Sequence, residues 1–182
     1  LFCGPRGVGK TSCARIFAKL INNKISSEYN LFELDGASNN SVDDIRNLID
    51  QVKIPPQIGK YKTYIIDEVH MLSKSAFNAF LKTLEEPPKH SIFILATTEK
   101  EKIIPTILSR CQIFDFNRIS TNEISNYLQK ISTQEDIQVE QETLNLISEK
   151  SDGSLRDALS TFDKIYTYCN KKWEHPESNQ QV

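Results

Sequence analysis

No stretch of this 182-residue chain is long and apolar enough to span a membrane, and no secretory signal peptide is present, so the chain is expected in the cytoplasm. A strong charge of either sign is also missing. Twenty-two basic against 24 acidic residues leave a net charge of −2, which excludes a general cation field for nucleic acid. Any DNA contact must come from a local surface or from an assembly. Cysteine is scarce and scattered: Cys3, Cys13, Cys111 and Cys169 form no C-x-x-C pair, which favours structural thiols over zinc or redox chemistry.

What the chain does have begins at its fourth residue. Gly4-Pro5-Arg6-Gly7-Val8-Gly9-Lys10-Thr11 is a complete G-x-x-x-x-G-K-T loop. Its glycines let the backbone curl so that successive N–H groups and the next helix's N-terminus face phosphates. Lys10 can reach β/γ oxygens, and the Thr11 hydroxyl can hold Mg²⁺. The flanks suit this reading, with Leu1-Phe2-Cys3 as a strand end and Ala14, Phe17, Ala18 and Ile21 as a helical stripe expected to be buried.

Such a loop needs an acidic partner, and Tyr64-Ile65-Ile66-Asp67-Glu68 supplies one at the end of a continuous apolar run. That pattern predicts a central parallel strand whose C-terminal edge carries phosphate chemistry. Asp67 suits the organisation of Mg²⁺, largely through water, and Glu68 is then available to orient or activate the attacking water. His70 has no metal-ligand partners near it in the sequence and is read as structural.

The remaining pattern alternates strands and helices. Leu31–Leu34 reads as a strand, followed by the polar turn Asp35-Gly36-Ala37-Ser38-Asn39-Asn40. Ser41 and Asp44 have capping-box spacing ahead of the stripe Ile45, Leu48, Ile49 and Val52. A further helix is predicted from Ser73 to Glu85, with Phe77, Phe80, Leu81 and Leu84 as core, and a strand over Ile92–Ala96. Thr98 follows that strand, where a hydroxyl can sense the γ-phosphate or attacking water; a simple capping role is equally open from the residues alone. Arg110 reads either as a solvated arginine or as a charge-neutralising finger for a neighbour's nucleotide.

After Phe116 three helices are expected: one on Ile124, Tyr127, Leu128 and Ile131, one on Leu144 and Ile147, and one on Leu155, Leu159, Phe162, Ile165 and Tyr166. They make a small lid. Arg156 starts the last of them, either as an ordinary helix-start arginine or as a group that reaches the phosphates on closure. The expected boundaries are 1–117 for the nucleotide-binding core, 118–169 for the lid and 170–182 for a flexible tail.

The segments GPRGVGKT, ELDGASNNSVDDIRNLID, YKTYIIDEVHMLSKSAFNAFLKTLEEPP, FILATTE, IIPTILSRC and DGSLRDALS together resemble the gamma/tau family of bacterial DNA polymerase III, clamp-loader ATPases of the AAA+ superfamily. The resemblance covers about residues 1–169. It implies an α/β P-loop NTPase core with a parallel central sheet and a helical lid. It also implies ATP and Mg²⁺ as cofactors, and as partners other loader subunits, including further gamma/tau copies, a sliding clamp and primer-template DNA. As part of that holoenzyme the chain would fall under DNA-directed DNA polymerase and nucleotidyltransferase.

Carried onto this sequence, the resemblance implies Gly4 through Thr11 as the phosphate loop, Asp67 and Glu68 as the Mg²⁺ and water-activating pair, and Thr98 as the first sensor. It makes Arg110 the residue supplied to the adjacent subunit's ATP and Arg156 the lid sensor. Two departures are expected to matter. Asn22 to Asn30 contains no cysteine where the family usually carries a zinc module, so no zinc is expected. The chain also starts without the family segment that helps hold adenine. Two alternatives stay open: an assembly module that is not an active ATPase alone, or another AAA+ remodeller acting in DNA repair.

Overall fold

The computed structural model describes residues 1–22 and 29–173. The chain divides into two compact units, Leu1–Pro5 with Gly9–Phe116, and Arg6–Val8 with the chain from Asn117 onward.

The first unit is built on five strands: β1 Phe2–Cys3, β2 Leu31–Asp35, β3 Lys62–Asp67, β4 Ser91–Thr97 and β5 Phe114–Asp115. Every pairing is parallel and the order is β2-β3-β4-β1-β5. Among the described residues, the helices that alternate with them are α1 Lys10–Ile21, α2 Val42–Lys53, α3 Lys74–Glu85 and the single-turn α4 Pro105–Leu108.

The apolar run on β3 has no polar alternation because both sheet faces are covered. Tyr64 and Ile66 face a core that includes Ile45, Leu48 and Val52 of α2 and Phe77 and Phe80 of α3, while Ile65 and its neighbour Ile94 pack with Ala14 of α1. Tyr64 lies between Phe32 and Phe93, with ring centroids 5.0 and 5.5 Å away, so aromatic stacking ties the three adjacent strands together. The cap on α2 is as expected: Ser41 Oγ accepts the Asp44 N–H at 3.1 Å and Asp44 Oδ2 accepts the Ser41 N–H at 3.2 Å.

Two expectations need correction, and one strand had no expectation behind it. Phe17 is 45% exposed, because Ala14 and Ala18 bring α1 close to the sheet and leave the bulkier side chain at the rim of an apolar cavity of about 630 Å³. Strand β5 gave no sequence signal of its own and forms by pairing Phe114 and Asp115 with Phe2 and Cys3. The lid stripes are narrower than predicted, with Tyr127, Ile165 and Tyr166 exposed.

The second unit contains α5 Thr121–Gln134, α6 Gln141–Lys150 and α7 Leu155–Trp173. Ile124, Leu128, Leu144, Ile147, Ala158 and Phe162 form its core. Helix α7 runs past Cys169, where the tail was expected to begin, and residues 174–182 lie outside those described. So do residues 23–28 of the cysteine-free Asn22–Asn30 segment. Among the described residues no helix is long and apolar enough to cross a membrane, and no group of three or more His, Cys, Asp or Glu side chains is placed to hold a metal ion.

Candidate active site

Because the sheet is parallel, the C-terminal ends of β1, β3 and β4 open on one edge. Gly4 leaves β1 and donates its N–H to the Thr97 carbonyl at 3.2 Å, fixing the start of the phosphate loop to the end of β4. The loop closes at Gly9, which holds φ 97° and ψ 14° as it leads into α1. A side chain there would be strained, and glycine is not. No acidic residue occupies the first turn of α1, so its unpaired N–H groups and dipole favour an anion.

Lys10 is buried, and its Nζ donates to the carbonyls of Gly4 and Pro5, both at 2.8 Å. These bonds fold the ammonium back into the loop. One residue on, Thr11 Oγ1 donates to Asp67 Oδ2 at 2.6 Å, joining the first turn of α1 to the end of β3. Two hard oxygen donors held this closely, one of them anionic, fit Mg²⁺ with its preference for carboxylate, hydroxyl and water oxygens.

Glu68 adopts a left-handed backbone conformation, φ 46° and ψ 45°, immediately after β3. For a residue other than glycine this costs on the order of 1 kcal/mol and persists where the surroundings fix it. Here they do. Its Oε2 accepts the Thr98 hydroxyl at 3.0 Å and the Thr98 N–H at 3.3 Å, and its own N–H donates to Asp67 Oδ1 at 3.0 Å. The loop lysine, Thr11, Asp67, Glu68 and Thr98 are thus gathered at one sheet edge.

The remaining candidates have other partners. Arg110 follows α4, where its Nη2 donates to Glu85 Oε1 at 2.5 Å and its Nη1 to the Thr106 carbonyl at 2.6 Å and to Ser109 Oγ at 3.3 Å. None of these partners belongs to the loop or to the Asp67–Glu68 pair. In the second unit Arg156 is exposed, and its backbone N–H donates to the Gly7 carbonyl at 3.3 Å, while Arg6 Nη2 pairs with Asp157 Oδ1 at 3.3 Å. Val8 follows Arg6 and Gly7 in the loop.

Two contributors escaped sequence reasoning. Gly36 was read only as part of a polar turn, yet its N–H donates to the Asp67 carbonyl at 2.8 Å, and a Cβ there would stand 2.7 Å from the Glu68 carbonyl oxygen. His70 was read as structural from its lack of neighbours in sequence. Its ring reaches Thr97, Glu68 and Glu99. A hydrogen bond from Lys102 at 2.7 Å pulls the Glu99 carboxyl below the usual carboxylate range, and His70 adds to that effect.

Comparison with known proteins agrees along almost the whole chain. Residues 1–120 match the family model described as DNA polymerase III, delta subunit, and residues 123–171 match the DNA polymerase III clamp loader subunit, ATPase lid domain. The chain is 51% identical over 186 residues to DNA polymerase III subunit tau of Bacillus subtilis, a match covering 92% of this chain and 33% of that protein. It is 45% identical over 183 residues to DNA polymerase III subunit gamma of Buchnera aphidicola subsp. Baizongia pistaciae, covering 91% and 50%. It therefore spans about a third to a half of the length of these relatives.

Among solved structures, a DNA polymerase III gamma subunit-related protein from Thermotoga maritima superposes with a TM-score of 0.58 at 24% identity, over 71% of this chain and 44% of that one. The RuvB Holliday junction branch migration motor of the same organism gives 0.69 at 20% identity, over 87% and 51%. At those identities the two likenesses speak for the fold.

Proposed function

Because this chain belongs to the bacterial DNA polymerase III gamma/tau family of AAA+ clamp-loader ATPase subunits, we propose that it binds ATP with Mg²⁺ and hydrolyses it within an assembly that loads a sliding clamp onto primer-template DNA. The observation that carries this reading is the pairing of Thr11 with Asp67 at 2.6 Å beside that of Thr98 with Glu68 at 3.0 Å, at the sheet edge where α1 begins. One pair offers hard oxygens and the other a fixed carboxylate.

Bound ATP supplies the phosphoanhydride to be cleaved, and Mg²⁺ supplies positive charge to its oxygens. Gly4, Pro5, Arg6, Gly7, Val8 and Gly9 wrap the phosphates with backbone N–H groups, except at Pro5, which has none. Lys10 trades its bonds to the Gly4 and Pro5 carbonyls for β/γ oxygens. Thr11 would hold the cation through its hydroxyl, and Asp67 would hold it largely through water. Glu68 presents its second carboxylate oxygen to the attacking water and takes its proton, while Thr98 keeps the first oxygen fixed. Arg156 is assigned to the lid sensor and Arg110 to the site of an adjacent subunit.

The chemistry that these groups equip is phosphoanhydride hydrolysis. Polymerase and nucleotidyltransferase are class names of the larger holoenzyme and overstate what this chain carries. Partners of this reading are other loader subunits, further gamma/tau copies among them, the clamp and the DNA.

A second reading is favoured by one feature. Arg110 engages Glu85 and Thr106 of its own chain, so a lone chain would leave its own site without that guanidinium and would serve as an assembly module without turnover.

Glu68→Gln in the full-length protein, reconstituted with its partners, tests the main reading. The amide keeps size and hydrogen bonding but accepts no proton. Single-turnover hydrolysis should fall by about 10²–10⁴-fold with ATP affinity retained. An unchanged rate would sink the assignment.

A further inference from the structure

His70 sits in the turn that follows Glu68, on a single 3₁₀ turn spanning Val69–Met71, and its side chain is only 5% exposed. A buried imidazole must place both ring nitrogens. Nε2 is 3.0 Å from Glu99 Oε1, and a carboxylate held ionised by Lys102 accepts only, so Nε2 carries the proton. Nδ1 is 2.9 Å from Thr97 Oγ1 and 3.4 Å from Glu68 Oε2. Thr97 Oγ1 in turn accepts the Glu99 N–H at 3.0 Å.

The ring is therefore wedged between the ends of two strands. On one side stands Glu68, whose left-handed backbone has no regular ladder to hold it. On the other stand Thr97, Thr98 and Glu99, the residues that close β4. Thr98 can aim its hydroxyl and N–H at Glu68 Oε2 only if the end of β4 keeps its place relative to the end of β3. In the described residues the one side chain bonded to Thr97 Oγ1 and close to Glu68 is His70.

We propose that His70 is a positioning residue for hydrolysis: through Nδ1 it sets the register between Thr97–Thr98 and the Glu68 carboxylate, with Glu99 fixing the ring from the other side through Nε2. The inference rests on the role of Glu68 proposed above. His70 itself touches neither phosphate nor water; it acts through the two residues that do.

The two ring nitrogens allow a test that separates positioning from packing. Asn carries a polar atom at the place of Nδ1, and Gln carries one at the place of Nε2. In the reconstituted full-length loader, His70→Asn should keep single-turnover hydrolysis within about threefold of the parent, because the Thr97 contact survives. His70→Gln keeps the Glu99 contact and loses the Thr97 contact, and should lower kcat by about tenfold to a hundredfold, the scale of a misplaced catalytic group. ATP affinity by calorimetry should change in neither, since the phosphate loop is untouched.

Equal rates for the two variants, or a rate loss that simply follows a drop in Tm, would show a packing role and overturn the proposal. A second readout needs no turnover. ¹⁵N shifts of the His70 ring in the full-length protein, assigned by difference against His70→Asn, should show Nε2 protonated; a neutral ring with its proton on Nδ1 would also overturn it. Glu68→Gln, measured alongside, distinguishes the two layers. If it hydrolyses normally the role of Glu68 fails and His70 falls with it; if it is slow while His70→Gln is fast, only the His70 assignment fails.

Discussion

Gly36→Ala is the most demanding test of how the acidic strand end is held. A Cβ built on Gly36 meets the Glu68 carbonyl oxygen at 2.7 Å and that of Asp67 at 3.0 Å, about 0.7 and 0.4 Å short of the 3.4 Å at which ordinary contact begins. Neither side yields easily. The Gly36 turn is braced by the Asp35 carboxylate, which accepts the Ala37 N–H at 3.0 Å and the Ser38 hydroxyl at 2.8 Å, and by the Asp35 carbonyl, which accepts the Asn39 N–H at 2.9 Å. Opposite it, β3 is paired on both edges. The strain therefore lands on the peptide between Asp67 and Glu68, already left-handed at Glu68, and moves the two carboxylates relative to Thr11 and Thr98. Overpacking of this kind costs about 1–3 kcal/mol of stability. A sub-ångström displacement of a reacting group costs about tenfold to a hundredfold in rate. Single-turnover hydrolysis by the reconstituted full-length protein should fall by that factor, while ATP affinity measured by calorimetry stays within about threefold. A folded Gly36→Ala protein that hydrolyses at the parent rate would show that the Gly36 contact does not position the two carboxylates, and an affinity loss as large as the rate loss would show general damage to the site instead.

How much of this was legible in the sequence follows from the range of the forces involved. The phosphate-loop motif, the Ser41–Asp44 cap and the stripe Ile45, Leu48 and Val52 are each written within eight consecutive residues, and the structure has the cap and the stripe as read. The doubly covered strand β3 announced itself through an unbroken apolar run. Where a side chain's fate depends on another element, periodicity alone misled: Phe17 has helical spacing from Ala14, yet the sheet accepts only the small alanines. Strand β5 exists through its pairing with β1, which begins over a hundred residues earlier. The site divides the same way. Lys10, Thr11, Asp67 and Glu68 belong to short motifs, whereas the partners that hold them do not. Gly36 meets Glu68 across two paired strands, and His70 meets Thr97 and Glu99 across a helix and a strand of intervening chain. Its functional environment has no signature in the residues beside it.

Lys10→Ala removes a charge that makes two hydrogen bonds inside the loop and is assigned to phosphate oxygens when ATP is bound. A charge-assisted contact worth about 1.5–3 kcal/mol corresponds to a loss of roughly tenfold to a hundredfold in ATP affinity, and equal affinities by calorimetry would count against the assignment. Arg110→Ala should act somewhere other than its own chain's site. The Arg110–Glu85 pair is partly exposed, so its loss should cost less than about 1 kcal/mol of stability, too little to confuse with unfolding. A guanidinium delivered to a neighbour's phosphates, by contrast, is worth about 10³–10⁵-fold in hydrolysis. Pairing an Arg110→Ala chain with a Glu68→Gln neighbour, and checking assembly separately, assigns the deficit to one site. The deficit should fall in the adjoining site; if it follows the Arg110→Ala chain's own site, or if the chain alone hydrolyses ATP as fast as the assembly, action across the subunit boundary is wrong.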